Sequence, residues 1–402
     1  MDKVYIVAAK RTAVGKFLGT LSNVPVVDLG VAVVKDILNQ TKIDPSKIDE
    51  LVVGNILMAG HGQGIARQIG INSGLMVETP AYGLNMICGS GLKAVMNAYN
   101  SIVANQADII IAGGVESMSQ AGYVIPAKIR SGVKMGDQKI VDHMIYDSLT
   151  DAFSKEHMGI TAENVAEKLG ISREEQDNLA YSSQQRAIAA IDKGNFKEEI
   201  VPIEIVTKKA TTIFAEDEFV NRSTNPEKLA ALKPAFKKDG TVTAGNASGI
   251  NDGAAFVMVA SEKAVKQYDL KPLVEIVSTG QGGVEPSVMG LGPVPAIKNA
   301  ISKTNLHLKD MDVLELNEAF AAQALGVRKL LSKEYGVEES WLNERTNKNG
   351  GALALGHPVG ASGCRILVSL LYEMKRQNNT YGLASLCIGG GMGTALIVKN
   401  VE

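Results

Sequence analysis

The stretch Gly91 to Ala112, GLKAVMNAYNSIVANQADIIIA, decides the architecture. Its first part, to Ala104, carries small and apolar residues at helical spacing. Its end, Ala107-Asp108-Ile109-Ile110-Ile111-Ala112, is a short unbroken apolar run, the pattern of a strand covered on both faces. A helix feeding a doubly covered strand belongs to an α/β layered fold. The alternation extends outward. Lys3 to Ala9 and Ile48 to Asn55 read as strands, Val26 to Asn39 as a helix and Lys42-Ile43-Asp44-Pro45 as a turn.

The second half repeats the order: a helix over Pro295 to Lys303, a turn from Asn305 to Lys309, a strand at Val313 to Leu316, a helix over Gly363 to Lys375 and a strand at Leu383 to Cys387. Thr41, Asp49 and Ser90 have counterparts in Thr304, Asp312 and Ser362, at offsets of 263, 263 and 272 residues, and Gly113 has Gly389 at 276. A slowly drifting offset marks a duplicated unit with small insertions. After Cys387 the chain turns through Gly389 to Gly393 into a further strand, Thr394 to Val398. The matching strand of the first half is Ala254 to Val259, roughly 130 residues beyond Gly114 and far past a normal connection. The expected layout is therefore a first core unit of residues 1–118 plus 250–270, an insertion over 119–249 and a second core unit over 271–402. In the insertion, 161–193 is expected to be helical, with Thr161 and Asn164 near its start. Tyr123 to Ile140 mixes Gly, Lys and apolar residues without a period.

A formal net charge of -2 gives no basic excess for a nucleic-acid partner. Three cysteines in 402 residues, Cys88, Cys364 and Cys387, argue for a reducing compartment rather than a disulfide scaffold, so a cytoplasmic location is expected. The N-terminus runs directly into a strand, so no secretory leader is expected. No apolar run is long enough to span a bilayer, and no membrane partner is expected. No ligand cluster has zinc spacing, so no metal and no cofactor are expected.

Four segments carry chemistry. In Asn85-Met86-Ile87-Cys88-Gly89-Ser90-Gly91 a cysteine stands where a glycine-rich turn opens a helix. The helix dipole there is expected to lower the thiol pKa and favour a nucleophilic thiolate. The plain alternative is a buried structural cysteine. In Asn349 to Gly363, NGGALALGHPVGASG, one histidine stands in a glycine-rich loop before a helix, close to the position of Cys88 in the repeat. Histidine is the natural base for a thiol, and a turn histidine is the alternative. Cys387-Ile388-Gly389-Gly390-Gly391-Met392-Gly393-Thr394 ends a buried strand in glycines, which tight strand turns also use. Leu316-Asn317-Glu318-Ala319-Phe320-Ala321 places polar groups at a strand's carboxyl end, where α/β sheets bind ligands. Asn317 could hold a water or an oxyanion there, or cap a helix.

Together these segments resemble the thiolase family, and the resemblance runs from Val4 to the C-terminus. His157-Met158-Gly159 and the run from Thr243 to Ala255, TAGNASGINDGAA, resemble thiolase segments too. The resemblance implies duplicated βαβαβαββ core domains in an α-β-α-β-α arrangement, with the insertion as a loop domain for coenzyme A binding and assembly. It implies Cys88 as nucleophile, His357 and Cys387 as bases, Asn317 as carrier of a water, and the N–H groups of Cys88 and Gly389 as an oxyanion site. Leu149, His157, Met158, Arg222, Ala244, Ser248 and Met289 are implied to line the coenzyme A and acyl pocket. The implied partners are acetyl-CoA, acetoacetyl-CoA and CoA as substrates and a homotetramer built as a dimer of dimers. The likeness is greatest to the biosynthetic branch, which condenses two acetyl-CoA, and a degradative thiolase of broader chain range is the alternative. Cys364 stands where the family pattern has Ala, and Asn221-Arg222 is shifted against the family's basic contact. A ketoacyl synthase-like enzyme would lack Cys387. A nicotinamide dehydrogenase would want a Gly-x-Gly-x-x-Gly turn where this chain has Lys10-Arg11-Thr12-Ala13.

Overall fold

The structure is a computed structural model that describes residues 3–206, 208 and 210–401. The elements that place the site are β1 (Val4–Thr12), α1 (Val26–Thr41), β2 (Glu50–Gly54), β3 (Ala81–Leu84), α2 (Ser90–Val103), β4 (Ile109–Ser117), α3 (Met158–Leu169), α4 (Arg173–Asp192), β5 (Asn251–Ser261), β6 (Val274–Gly283), α5 (Pro293–Ile301), β7 (Val313–Leu316), α6 (Ala321–Tyr335), α7 (Val359–Gln377), β8 (Tyr381–Ile388) and β9 (Met392–Asn400).

The strands run in the order β7-β8-β9-β6-β1-β5-β4-β2-β3. The outer pairs are parallel, β7 with β8 at one end and β4 with β2 and β2 with β3 at the other. The inner pairs are antiparallel. The two halves mirror each other in this order, as the repeat predicts. Matching aspartates do the same job in both. Asp49 accepts from the N–H groups of Asp108 and Ile109 at 2.7 and 2.8 Å, and Asp312 from those of Thr380 and Tyr381 at 2.7 and 3.0 Å. The counterpart of edge strand β3 is reduced to one bridge, Leu314 with Thr346.

Three apolar layers follow from period-2 alternation along the doubly covered strands. Ile109, Ile111 and Val115 of β4 face a core shared with α1. Ile110 and Ala112 face a central core containing α2, α7 and strands of both halves. The outer face of the second half packs on α5 and α6. Helix α7 is therefore buried on every side from Val359 to Met374.

Between β4 and β5 the chain leaves the sheet, apart from Ile200–Val201 pairing with β1. Buried ion pairs tie this insertion to the core: Arg11 of β1 meets Glu199 at 2.6 Å and Asp217 at 2.7 Å. Two expectations for the insertion need correction. The helical stretch over 161–193 is two helices, because Gly170 ends α3 in a left-handed conformation and a Ser172–Glu175 capping box opens α4. Helix α3 also starts earlier than Thr161, at Met158, because the His157 ring nitrogen Nδ1 accepts from the N–H of Gly159 and caps the turn.

The first turns of α2 and α7 meet back to back. A Cβ on Gly91 would lie 2.9 Å from both Cys364 N and Gly360 O, and one on Gly363 would lie 2.5 Å from Leu92 N. Backbone cannot yield as a side-chain tip can. Gly363→Ala is expected to lower the unfolding free energy by about 1–3 kcal/mol. Gly122→Ala, where a Cβ meets nothing within 4 Å, is expected to change little. Urea denaturation of both variants checks this.

Candidate active site

Cys88 stands two residues before α2, in a turn whose Ile87 has φ 47°. That is a sparsely populated conformation for a β-branched residue. The turn is held by hydrogen bonds. Ile87 N donates to Asn85 Oδ1 at 2.9 Å, and Ser90 Oγ donates to Ile87 O at 2.7 Å. The expectation of a thiol pKa lowered by the helix is overturned. Burial pushes the Cys88 thiol up to about 11, against the opposing pull of the Gly389 and Cys88 N–H groups, and the buried Glu116 carboxylate adds to the rise.

His357 follows Gly356, whose φ of 98° admits glycine and whose Cβ position would fall 2.5 Å from Asn251 Cγ. That contact lets the His357 N–H reach Asn251 Oδ1 at 2.8 Å. The ring is almost fully buried and its Nδ1 lies 2.6 Å from Ser362 Oγ. Burial, with the Arg365 guanidinium adding to it, lowers the His357 pKa to about 3. At neutral pH the pair is a neutral thiol and a neutral imidazole.

Cys387 is the penultimate residue of β8, with Gly390 and Gly391 at φ 83° and 88° forming the turn into β9. Burial raises its pKa strongly, and the neighbouring Cys88 raises it further. Cys364 is wholly buried in α7, with its sulfur 4.0 Å from Ala112 O.

Cys88, His357, Cys387 and Gly389 line one cavity of about 920 Å³, together with Leu149, His157, Met158, Arg222, Ala244, Ser248 and Met289. Of the residues singled out in the sequence, Asn317 alone is not on its wall. It is buried, close in sequence to the lining residues Ala319 and Phe320, and neither atom of its amide has a partner among the described residues. It does not cap α6 either, which opens after Phe320 with no side-chain cap. Arg222 reaches the exposed rim but pairs with Asp192 at 2.8 Å.

Several lining residues were not foreseen. Lys16 and Phe17 come from the segment after β1, where Gly15–Lys16 pairs with the start of β5. Phe236 stacks on His157 with ring centroids 4.6 Å apart. No local pattern marks them. The only available signal was that they flank segments already singled out.

The raised thiol pKa has a kinetic signature. Alkylation of Cys88 by iodoacetamide in the unliganded protein is expected to accelerate about tenfold per pH unit from neutral pH towards about 11. A plateau near pH 8.5, the ordinary thiol range, would contradict the dominance of burial.

Two family models cover nearly the whole chain: "Thiolase, N-terminal domain" matches residues 4–263 and "Thiolase, C-terminal domain" residues 270–400. The chain is 52% identical over 398 residues to an acetyl-CoA acetyltransferase of Chromobacterium violaceum, covering 99% of each chain. It is 49% identical over 402 residues to that of Escherichia coli, covering 100% of each. Among solved structures, acetyl-CoA acetyltransferase from Syntrophomonas wolfei superposes with a TM-score of 0.96 at 42% identity, covering 100% of both chains. Human mitochondrial 3-ketoacyl-CoA thiolase superposes with a TM-score of 0.94 at 44% identity, covering 100% of this chain and 99% of that one.

Proposed function

We propose that this chain, which belongs to the thiolase family in both of its halves, is an acetyl-CoA acetyltransferase that joins two acetyl-CoA into acetoacetyl-CoA and CoA, reversibly. The observation that carries the reading is the convergence of Cys88, His357 and Cys387 on one cavity. His357 takes the proton of Cys88, and the thiolate attacks the carbonyl of the first acetyl-CoA. The tetrahedral oxyanion is held by the N–H groups of Cys88 and Gly389, both of which favour the charged form of the Cys88 sulfur. The proton passes to the departing CoA thiolate, leaving an acyl-enzyme.

A second acetyl-CoA then enters. Cys387 gives its proton to His357 and, as thiolate, takes one from C2, and the carbanion attacks the acyl carbon on Cys88. The bond to the Cys88 sulfur breaks, the Cys88 thiolate takes the proton held by His357, and acetoacetyl-CoA leaves. The enolate oxygen of the second thioester is held by protonated His357 and by a water on Asn317. The unpartnered Asn317 amide, a site that can accept and donate to a water, supports that role. His157, Ala244 and Ser248 hold the pantetheine arm, and Leu149 contributes to the same wall. Arg222 pairs with Asp192 at 2.8 Å and Lys16 with Glu218 at the longer distance of 3.8 Å, so Lys16 is the more loosely held cation at the rim.

We also propose a homotetramer of cytoplasmic location. Strand β3 is a free sheet edge suited to pairing with a second copy. Tyr123, Ile125, Met135 and Ile140 are exposed apolar side chains of one segment, suited to joining dimers. Three free thiols suit a reducing compartment. Among the described residues no helix is long and apolar enough to cross a membrane.

Two assays test the reading. Cys387→Ala is expected to acylate Cys88 from radiolabelled acetyl-CoA, yet to lose condensation and C2 hydrogen exchange, whereas Cys88→Ala should not acylate. Failure of folded Cys387→Ala to acylate would reverse the two roles. For chain length, Met158 and Met289 close the acyl end of the cavity, so kcat/KM for thiolysis should be at least about tenfold higher with acetoacetyl-CoA than with 3-ketooctanoyl-CoA. Equal values would favour the degradative, broader-chain alternative.

A further inference from the structure

Ser90 and Ser362 occupy the same place in the two halves, one in the first turn of α2 and the other in that of α7. Both are fully buried, and each hydroxyl makes two hydrogen bonds back into the turn that precedes its helix. Ser90 Oγ accepts from Met86 N at 2.8 Å and donates to Ile87 O at 2.7 Å, spanning the turn that presents Cys88. Ser362 Oγ donates to Pro358 O at 2.8 Å and lies 2.6 Å from His357 Nδ1, in the turn that presents the imidazole.

A hydroxyl has one proton. At Ser362 the backbone carbonyl of Pro358 can only accept, and with the hydroxyl proton directed to it Oγ is left to accept. The contact to His357 then requires Nδ1 to carry the ring hydrogen and donate it to Ser362 Oγ. A neutral imidazole with Nδ1–H has a bare lone pair on Nε2. His357 Nε2 is buried and has no partner among the described residues, while the ring lines the cavity that Cys88 lines. At Ser90 the same device does mechanical work, because Ile87 holds φ 47° and its carbonyl is clamped from within the helix.

We propose that Ser90 and Ser362 are one positioning device used twice, Ser90 holding the strained nucleophile turn and Ser362 fixing His357 as the Nδ1–H tautomer whose Nε2 accepts the Cys88 proton. Its kinetic part rests on the reading of His357 as the base. The same tautomer makes His357 a donor to the enolate oxygen only once Nε2 has been protonated. Proton uptake by His357 and enolate stabilisation are thereby coupled, with the Ser362 bond unchanged throughout.

The test uses the intact enzyme with ring-¹³C-labelled histidine. The vibrational difference spectrum between wild type and His357→Asn reports the tautomer of His357. The Nδ1–H signature is expected in wild type, and loss of that signature in Ser362→Ala. Acylation by acetyl-CoA should slow about 10²-fold in Ser362→Ala, with KM changed little. Ser90→Ala should slow acylation while leaving the His357 signature intact. Nε2–H in wild type, which needs no variant to fold, would overturn the proposal. So would an unchanged tautomer or wild-type acylation in folded Ser362→Ala. Wild-type acylation by His357→Asn would instead refute the base reading beneath it.

Discussion

The structure depends on one close approach. The first turns of α2 and α7 touch through backbone, with Gly91 against Cys364 N and Gly360 O and with Gly363 against Leu92 N. Any side chain at either glycine would separate the helices. Because each reactive turn is anchored to the start of its helix, separating the helices would separate Cys88 from His357. Both helices are also enclosed by the strands of the two halves, so the contact lies within the core that the two halves share. Duplication supplies the symmetry: two equivalent helix starts, facing each other, present a thiol from one half and an imidazole from the other.

The electrostatics of the site follow from that depth. Helix dipoles and backbone N–H groups favour the Cys88 thiolate, but removing the thiol from water costs more, and the resting group is neutral. The same burial, helped by Arg365, keeps His357 neutral. A site of neutral groups avoids a standing ion pair, and charge develops only when a thioester oxygen is present to share it. The opposing N–H groups of Cys88 and Gly389 are fixed in advance by the backbone, which is what makes such donors effective in a transition state.

The insertion completes the cavity that the duplicated core begins. It leaves the sheet after β4, returns at β5 and is locked to β1 by the buried pairs of Arg11 with Glu199 and Asp217. His157, Met158 and Phe236 come from it and form the wall facing the reactive groups. His157 has two structural tasks, capping α3 and stacking on Phe236, beside the lining side chain of Met158.

Sequence alone determined the layered class and the repeat, and singled out three residues that the fold brings to one cavity. Strand β4 is legible because burial on both faces leaves an unbroken apolar run, and the offsets of Asp49 with Asp312 and Ser90 with Ser362 expose the duplication. Cys88, His357 and Cys387 are legible because each sits in a long glycine-rich string. Tertiary structure decided what depends on distance and exclusion of water. The sign of the Cys88 pKa shift was misjudged because the dipole is a local property of the chain, while burial depends on everything packed around it. The diversion of Arg222 to Asp192 and the entry of Lys16 and Phe17 into the cavity wall each join segments distant in the chain. No local spacing encodes such contacts, because they are set by how the layers close on one another.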